Sequence, residues 1–414
     1  MSHASLGRPV TSAGHLPGSA GYRRIMVAMF AAGMATFALM YSTQTLLPEF
    51  ASDFALTPTK ATLSMTLTTA TLAVMLLVAG PISEYAGRTP LIRISVWAAA
   101  LVGLACAFAP GWSSLLALRS LQGAALAGLP AVATAYLREE VHPTASGRAA
   151  GLYIGGTAIG GMVARILTAP IADAVGWRFA LGATAIVGLL CAVLVTLLLP
   201  DSTNFTPSSG SWRTITASAR RALADPALVA LYGLAMCAMG TLIAVFNALS
   251  FRLTSPPFGL PLAALSLVYL TYLLGTISST LAGRVADRIG RRAVLPVGCV
   301  LALAGVALMS IDQLVMVIGG LSLLVIGFFI VHGLASGWVP VRAHAAGVST
   351  AQAASFYLMS FYVGSSLFGN LGSTAWSHAG WPAVVALSAT LLTIACALAW
   401  ALRRIPALNP DAGR

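Results

Sequence analysis

Apolar residues run along the chain in long stretches separated by short polar segments. The first stretch, Ile25 to Leu47, holds 23 residues without a charge, and about 20 apolar residues are enough for a helix to cross a bilayer. Comparable runs lie at about 61–82, 92–109, 113–136, 148–171 and 179–199, and again at 227–250, 262–282, 293–311, 314–338, 348–374 and 382–402. The pattern predicts an all-α membrane protein with twelve transmembrane helices in two pseudo-symmetric six-helix bundles. The bundles are expected at 25–199 and 227–402. Between them a polar linker, 200–226, carries Arg213, Arg220 and Arg221 in its second half, which suits a short amphipathic helix on the inner leaflet. Residues 1–24 and 403–414 are expected as cytoplasmic tails. The long apolar run after the first tail is too long for the h-region of a signal peptide.

Composition supports a lipid environment and removes other classes. Of 414 residues, 58% are apolar and 8% are charged, against about a quarter charged in a soluble domain. A soluble enzyme is excluded. Lys60 is the only lysine, so the chain has no phosphate-binding loop of the Walker type and anything it moves is driven by gradients. Cys106, Cys191, Cys237, Cys299 and Cys396 stand far apart in apolar runs, without the spacing of a zinc site or a disulfide frame. No nucleophile elbow or zinc-protease helix is present. No enzyme activity, metal or cofactor is expected.

Lys and Arg are retained on the cytoplasmic side of bacterial inner-membrane proteins. With both termini inside, only Lys60, Arg178 and Arg252 fall in outer loops and only Arg119 and Arg165 within spans, the remaining basic residues being cytoplasmic. The net charge of +12 is then a topology signal and a lipid contact, not a nucleic-acid footprint.

An internal repeat divides the chain in the same place. Gly80-Pro-Ile-Ser-Glu84-Tyr-Ala-Gly87-Arg88 follows the second span, and Gly283-Arg-Val-Ala-Asp287-Arg-Ile-Gly290-Arg291 follows the eighth. Every matched position is offset by the same interval, as from Gly87 to Gly290, close to half the chain. An acid and an arginine on so tight a turn can bridge helix ends and latch one conformation of a two-state protein. Gly151, Gly155, Gly156, Gly160 and Gly161 in the fifth span permit close helix contact.

These residues resemble the major facilitator superfamily from Ile25 to Arg404. The two loops look like its G-x-x-x-D-x-x-G-R-[KR] signature, with Glu84 for the acid and Thr89 where a base is usual in the first copy. Arg119, Gln122 and Gly123 are similar to the R-x-x-Q-G motif of the fourth span. The glycines of the fifth span look like the antiporter motif, with Gly156 at the usual proline. The resemblance is to the drug:proton antiporter side, and most to the acriflavine-sensitivity (YnfM-type) branch. It implies alternating access between two bundles and a leak-blocking role for the fifth-span glycines.

Charges inside the apolar slab cost about 2.5–3.5 kcal/mol each on insertion scales and mark function by default. Arg119 lies about 9 Å in from the outer face and Arg165 about 26 Å along from the inner face, so both sit in the outer half of one bundle. Glu49 and Asp173 at the outer rim are candidate partners for them. Without such a partner, the arginines can hold an anionic group in a fork. Tyr41, Gln44, Gln122, Asn247 and Tyr357 are candidate lining groups, and His332 is the one imidazole within a span, able to change charge near neutral pH. The expected function is a monomeric secondary transporter exporting small organic molecules or drugs in exchange for protons. An organic-anion exchanger or proton symporter importing a carboxylate is the alternative, and a non-transporting receptor or subunit is the alternative from another class.

Overall fold

The computed structural model describes residues 14–205 and 212–406, with the side chains of Pro81, Glu84 and 212–215 left out. Residues 1–13, 206–211 and 407–414 of the expected tails and linker lie outside that description, as does the Glu84 carboxylate expected in the first latch.

The first half comprises α1 (Ala20–Tyr41), a short α2 (Leu47–Asp53), α3 (Pro58–Ala86), α4 (Arg88–Ala107), α5 (Trp112–Leu126), α6 (Gly128–Glu140), α7 (Pro143–Val175) and α8 (Trp177–Leu198). The linker helix α9 (Trp212–Ala224) leads to α10 (Pro226–Thr254), α11 (Leu262–Leu267), a 3-10 turn at Val268–Thr271, α12 (Tyr272–Ile289), α13 (Arg291–Leu308), α14 (Leu314–Ala345) and α15 (Thr350–Arg404). Among the described residues, eleven helices are long and apolar enough to cross a membrane, counting α5 with α6 and α11 with α12. The last, α15, has non-helical backbone at Ala379 and Gly380 and is two helices joined by a turn, which gives twelve spans.

Local chemistry explains the boundaries. Thr57 and Asp225 cap α3 and α10 through their side chains, each followed by proline at the first helical position, where the missing N–H costs nothing. Gly87 and Gly290, equivalent positions of the repeat, end α3 and α12 at φ 85° and 88°. Side chains rarely adopt that region, so glycine is required at both turns. The first span differs from expectation: α1 stops at Tyr41 instead of continuing to Leu47. Ser42 to Leu46 form a turn before α2, for a reason that lies in the site described below.

Helices approach backbone to backbone in both halves. A Cβ on Gly156 or Gly160 would lie 2.4 and 2.2 Å from the carbonyl oxygens of Phe30 and Met34 on α1, and one on Gly364 of α15 would lie 2.2 Å from that of Met236 on α10. Gly151 and Gly155 have nothing near them. The packing role expected of the glycine motif therefore falls on Gly156 and Gly160.

The halves meet along a polar seam at the end opposite the linker, the far end. Thr62 Oγ1 donates to Ser373 Oγ at 2.7 Å, Thr69 and Ser366 share a hydrogen bond of 2.8 Å, and Asn370 Nδ2 donates to the Thr59 carbonyl at 3.1 Å. Asp173, at the end of α7, accepts from the Ala263 amide in the first turn of α11 at 2.6 Å. At the linker end the repeated loops differ. Arg88 pairs with Glu139 on α6 at 3.1 Å and donates to Ser83, so the first arginine is fastened within its own half. Arg291 donates to the Gly337 carbonyl at 3.2 Å.

We expect Gly160→Ala to destabilise the protein by about 1–3 kcal/mol, the usual cost of overpacking, and Gly155→Ala to be neutral or slightly stabilising. Thermal unfolding of the two variants in detergent checks the contrast.

Candidate functional site

A cavity of about 240 Å³ lies between the halves, on the linker side of the seam. From the first half, Phe37 and Tyr41 of α1 and Thr157, Gly161 and Arg165 of α7 line it. From the second come Tyr272, Ser279, Phe328, His332, Ser336 and Phe361, among others. No carboxylate is in the lining. A larger groove of about 500 Å³ runs along α3 and the first arm of α15, but its walls are Leu63, Ala70, Val74, Leu77, Val363 and Leu371 with few polar groups. Such a surface suits lipid tails, so the smaller cavity is the candidate site.

Arg165 is fully buried. Its Nε donates to Gln44 Oε1 at 2.7 Å and its Nη1 to the Gly161 carbonyl at 2.8 Å. Its Nη2 is buried without a hydrogen-bond partner among the described residues. Four rings surround the guanidinium: Tyr41 at 4.2 Å, Tyr272 at 4.9 Å, Tyr269 at 5.0 Å and Phe246 at 5.7 Å. Ring quadrupoles offset part of the cost of desolvating a cation, but they do not satisfy an N–H. The rim acids considered as partners are elsewhere. Asp173 caps α11, and the Glu49 carboxyl is pushed above the usual carboxylate range by burial first and then by Asp173 and Asp53.

Arg119 has the opposite environment, and the cavity role expected for it and for Gln122 does not fit. Its Nε donates to the Ser64 carbonyl at 3.0 Å, Nη1 to the Leu39 carbonyl at 3.0 Å and to Gln122 Oε1 at 2.5 Å, and Nη2 to the Met40 carbonyl at 2.8 Å. Gln122 Nε2 continues to the Ala99 carbonyl at 3.0 Å. Carbonyls in the last turn of a helix have no intrahelical donor and carry the negative end of its dipole. Arg119 supplies both donor and charge at the end of α1, where the helix stops at Tyr41. Both arginines lie beside the end of α1; the neighbouring acceptors separate their roles.

Gln44 and Asn247 also lie outside the cavity lining, fully buried in the seam. Gln44 Nε2 donates to Asn247 Oδ1 at 2.7 Å, and Asn247 Nδ2 donates to the Gly369 carbonyl at 3.3 Å. His332 lines the cavity, stacked on Phe328 with an interplanar angle of 3° and hydrogen-bonded through Nδ1 to Tyr357 Oη at 3.0 Å. Tyr357 sits behind it and holds the ring. The site residues missed in the sequence are chiefly aromatic. Tyr269 and Tyr272 stand three apart on one helical face, a visible spacing, whereas Phe246 and Phe361 stand in apolar runs with nothing to mark them.

Replacing Arg119 by leucine leaves the Met40 carbonyl and Gln122 Oε1 without that donor, at about 1–3 kcal/mol for each buried group left unsatisfied, while the Leu39 and Ser64 carbonyls keep the Ser42 and Thr68 hydroxyls. We expect Arg119→Leu to lose folded protein and Arg165→Leu to keep it. Size-exclusion profiles and melting temperatures in detergent give the comparison.

Residues 25–354 match the Major Facilitator Superfamily. The chain is 40% identical over 389 residues to YybF, an uncharacterised MFS-type transporter of Bacillus subtilis (strain 168), covering 94% of this chain and 95% of that one. It is 36% identical over 387 residues to the inner membrane transport protein YnfM of Escherichia coli (strain K12), covering 94% and 92%. In fold it is similar to a bacterial homolog of the human lysosomal transporter Spinster in an inward-facing, occupied conformation, with a TM-score of 0.74 at 15% identity over 94% of this chain and 98% of that one. The nucleoside transporter NupG gives 0.70 at 15% identity, covering 92% and 99%. The chain therefore belongs to the major facilitator superfamily and is a multi-pass membrane transporter rather than an enzyme.

Proposed function

We propose that the chain moves a small organic anion across the inner membrane by alternating access, with the anionic group held by Arg165 and the apolar body held among the surrounding rings. The observation that carries this is a fully buried guanidinium beside the cavity whose Nη2 has no hydrogen-bond partner, with no carboxylate in the cavity lining, among the described residues. A carboxylate is the natural complement, because charge-assisted forked bonds to arginine are about twice as strong as neutral ones. A lipophilic cation would meet like charge there and no counter-ion, which weighs against purely cationic drugs.

The seam closes the far end and the cavity lies on the linker side of it, which supports reading this state as the one that opens toward the linker. The excess of arginine at the linker end supports assigning it, and both termini, to the cytoplasm. Likeness to the antiporter motif supports export in exchange for protons. His332, in the same cavity and held by Tyr357, is the side chain we assign to proton coupling. The protein is taken to act as a monomer, since the cavity is complete within one chain.

In proteoliposomes, a screen of aromatic and aliphatic acids by counterflow should find a substrate. We expect Arg165→Ala to abolish that transport in a folded protein and Arg165→Lys to retain a small fraction, since an ammonium keeps the charge without the fork. Accumulation of lipophilic cations instead, with Arg165→Ala fully active, would reject the assignment.

His332→Gln should remove the dependence of transport on a pH gradient between pH 6 and 8 while counterflow continues. An unchanged gradient response would discard His332 as the coupling group.

A further inference from the structure

Gln44 and Asn247 are separated by 203 residues, the interval that relates the two copies of the cytoplasmic-loop motif. They are therefore equivalent positions of the two halves. Equivalent positions touch each other only close to the pseudo-twofold axis, as in any two-fold contact. The Gln44–Asn247 bond thus lies close to the axis that relates the halves. The same amide reaches the cavity wall through Arg165: Gln44 Oε1 accepts from Arg165 Nε, and the Gln44 backbone carbonyl accepts from Ser250 Oγ on α10 at 3.2 Å. A continuous chain runs from Arg165 through Gln44 and Asn247 to the Gly369 carbonyl on α15.

Nε and Nη2 form one edge of a guanidinium, the edge that receives a carboxylate side-on. In Arg165, Nη2 is unpaired and Nε is occupied by Gln44. A carboxylate that engages this edge gains the free donor and takes the other from a neutral amide, a weaker acceptor than itself. Gln44 then loses the group that orients its carbonyl, and with it the geometry that aims its amide at Asn247.

We propose that Gln44 and Asn247 are positioning residues that form a pin across the axis, and that capture of an anion by Arg165 releases the pin and so loosens the far-end seam. This rests on the anionic-substrate reading. It adds the differential contact between two states that a ligand must have in order to shift their populations. Neither residue touches substrate; both act through Arg165.

The test uses Ser373→Cys in a cysteine-less background, since Ser373 is fully buried in the seam opposite Thr62. Labelling by a hydrophilic maleimide reports opening of the far end, and benzoate is the probe anion. In the parent we expect slow labelling, accelerated roughly tenfold by saturating benzoate, which corresponds to about 1.4 kcal/mol of shift. Asn247→Leu should label at the accelerated rate without benzoate and respond no further to it. It should also bind benzoate more tightly than the parent, because no binding free energy goes into breaking the pin, whereas simple damage to the fold would weaken binding. Should Asn247→Leu not fold, Gln44→Glu supplies the second arm: its own carboxylate occupies Arg165, and benzoate binding should be lost. Benzoate binding by the parent with no change in labelling, or normal binding by Gln44→Glu, would overturn the pin. Faster ligand-free labelling of Asn247→Leu in a protein whose parent binds no benzoate would instead overturn the anionic reading and leave the pin standing.

Discussion

A cation buried among apolar helices without a counter-ion is the constraint on which the central architecture turns. Arg165 carries an insertion cost of a few kcal/mol, and the protein offsets it only in part. Two hydrogen bonds and four aromatic faces hold the guanidinium, and the last donor is left without a partner. Arg119, at a similar depth, is instead saturated by backbone carbonyls and Gln122. The first is poised for a ligand and the second is a fastener. Deleting either removes one positive charge, but the second deletion also takes the donor from the Met40 carbonyl at the end of α1 and from Gln122.

The repeat shows which features the two halves share and which they do not. Backbone requirements are common to both: Gly87 and Gly290 end their helices in the same left-handed conformation, and close glycine contacts join α1 to α7 and α10 to α15. Charge is not. Glu139 in the first half pairs with Arg88, and the position 203 residues later is Arg342, whose guanidinium is held by Asp225 at the start of α10. The second loop therefore has no acid at that place for Arg291, which reaches only a carbonyl. Turns that look alike as motifs are fastened in one half and lightly held in the other.

Much of the fold was legible because hydrophobic runs of span length have few alternatives. The twelve spans and their division at the linker followed from that pattern alone. The end of α1 was not legible, since Ser42, Thr43, Gln44 and Thr45 are as acceptable in a membrane helix as in a turn. What favours the turn is Arg119, some eighty residues away, which brings a donor and a positive charge to the carbonyls at the end of α1. Singling out Arg165 was within reach of sequence, and so was Gln44 beside it. That Gln44 and Asn247 meet each other required the interval of the repeat to be applied to polar residues as well as to the motif. Thr59, Thr62 and Thr69 on α3, at helical spacing, were equally visible and mark the face turned to the seam; hydroxyls in an apolar run are easily taken for filler.

The composition of that seam follows from the demand that it open. An apolar contact between the halves would be stable when closed but would expose a hydrophobic face to water when the far end parts. Hydroxyls and small amides are served by each other when closed and by water when open, so neither state is heavily penalised. Interhelical hydrogen bonds of this kind contribute about 0.6 kcal/mol each on average, and several of them, with the Asp173 cap on α11, give a closed state favoured by a few kcal/mol. That is the range in which the capture of one charged group can move the balance. A tighter seam would need more binding energy than a single forked bond provides, and a looser one would open with the site empty.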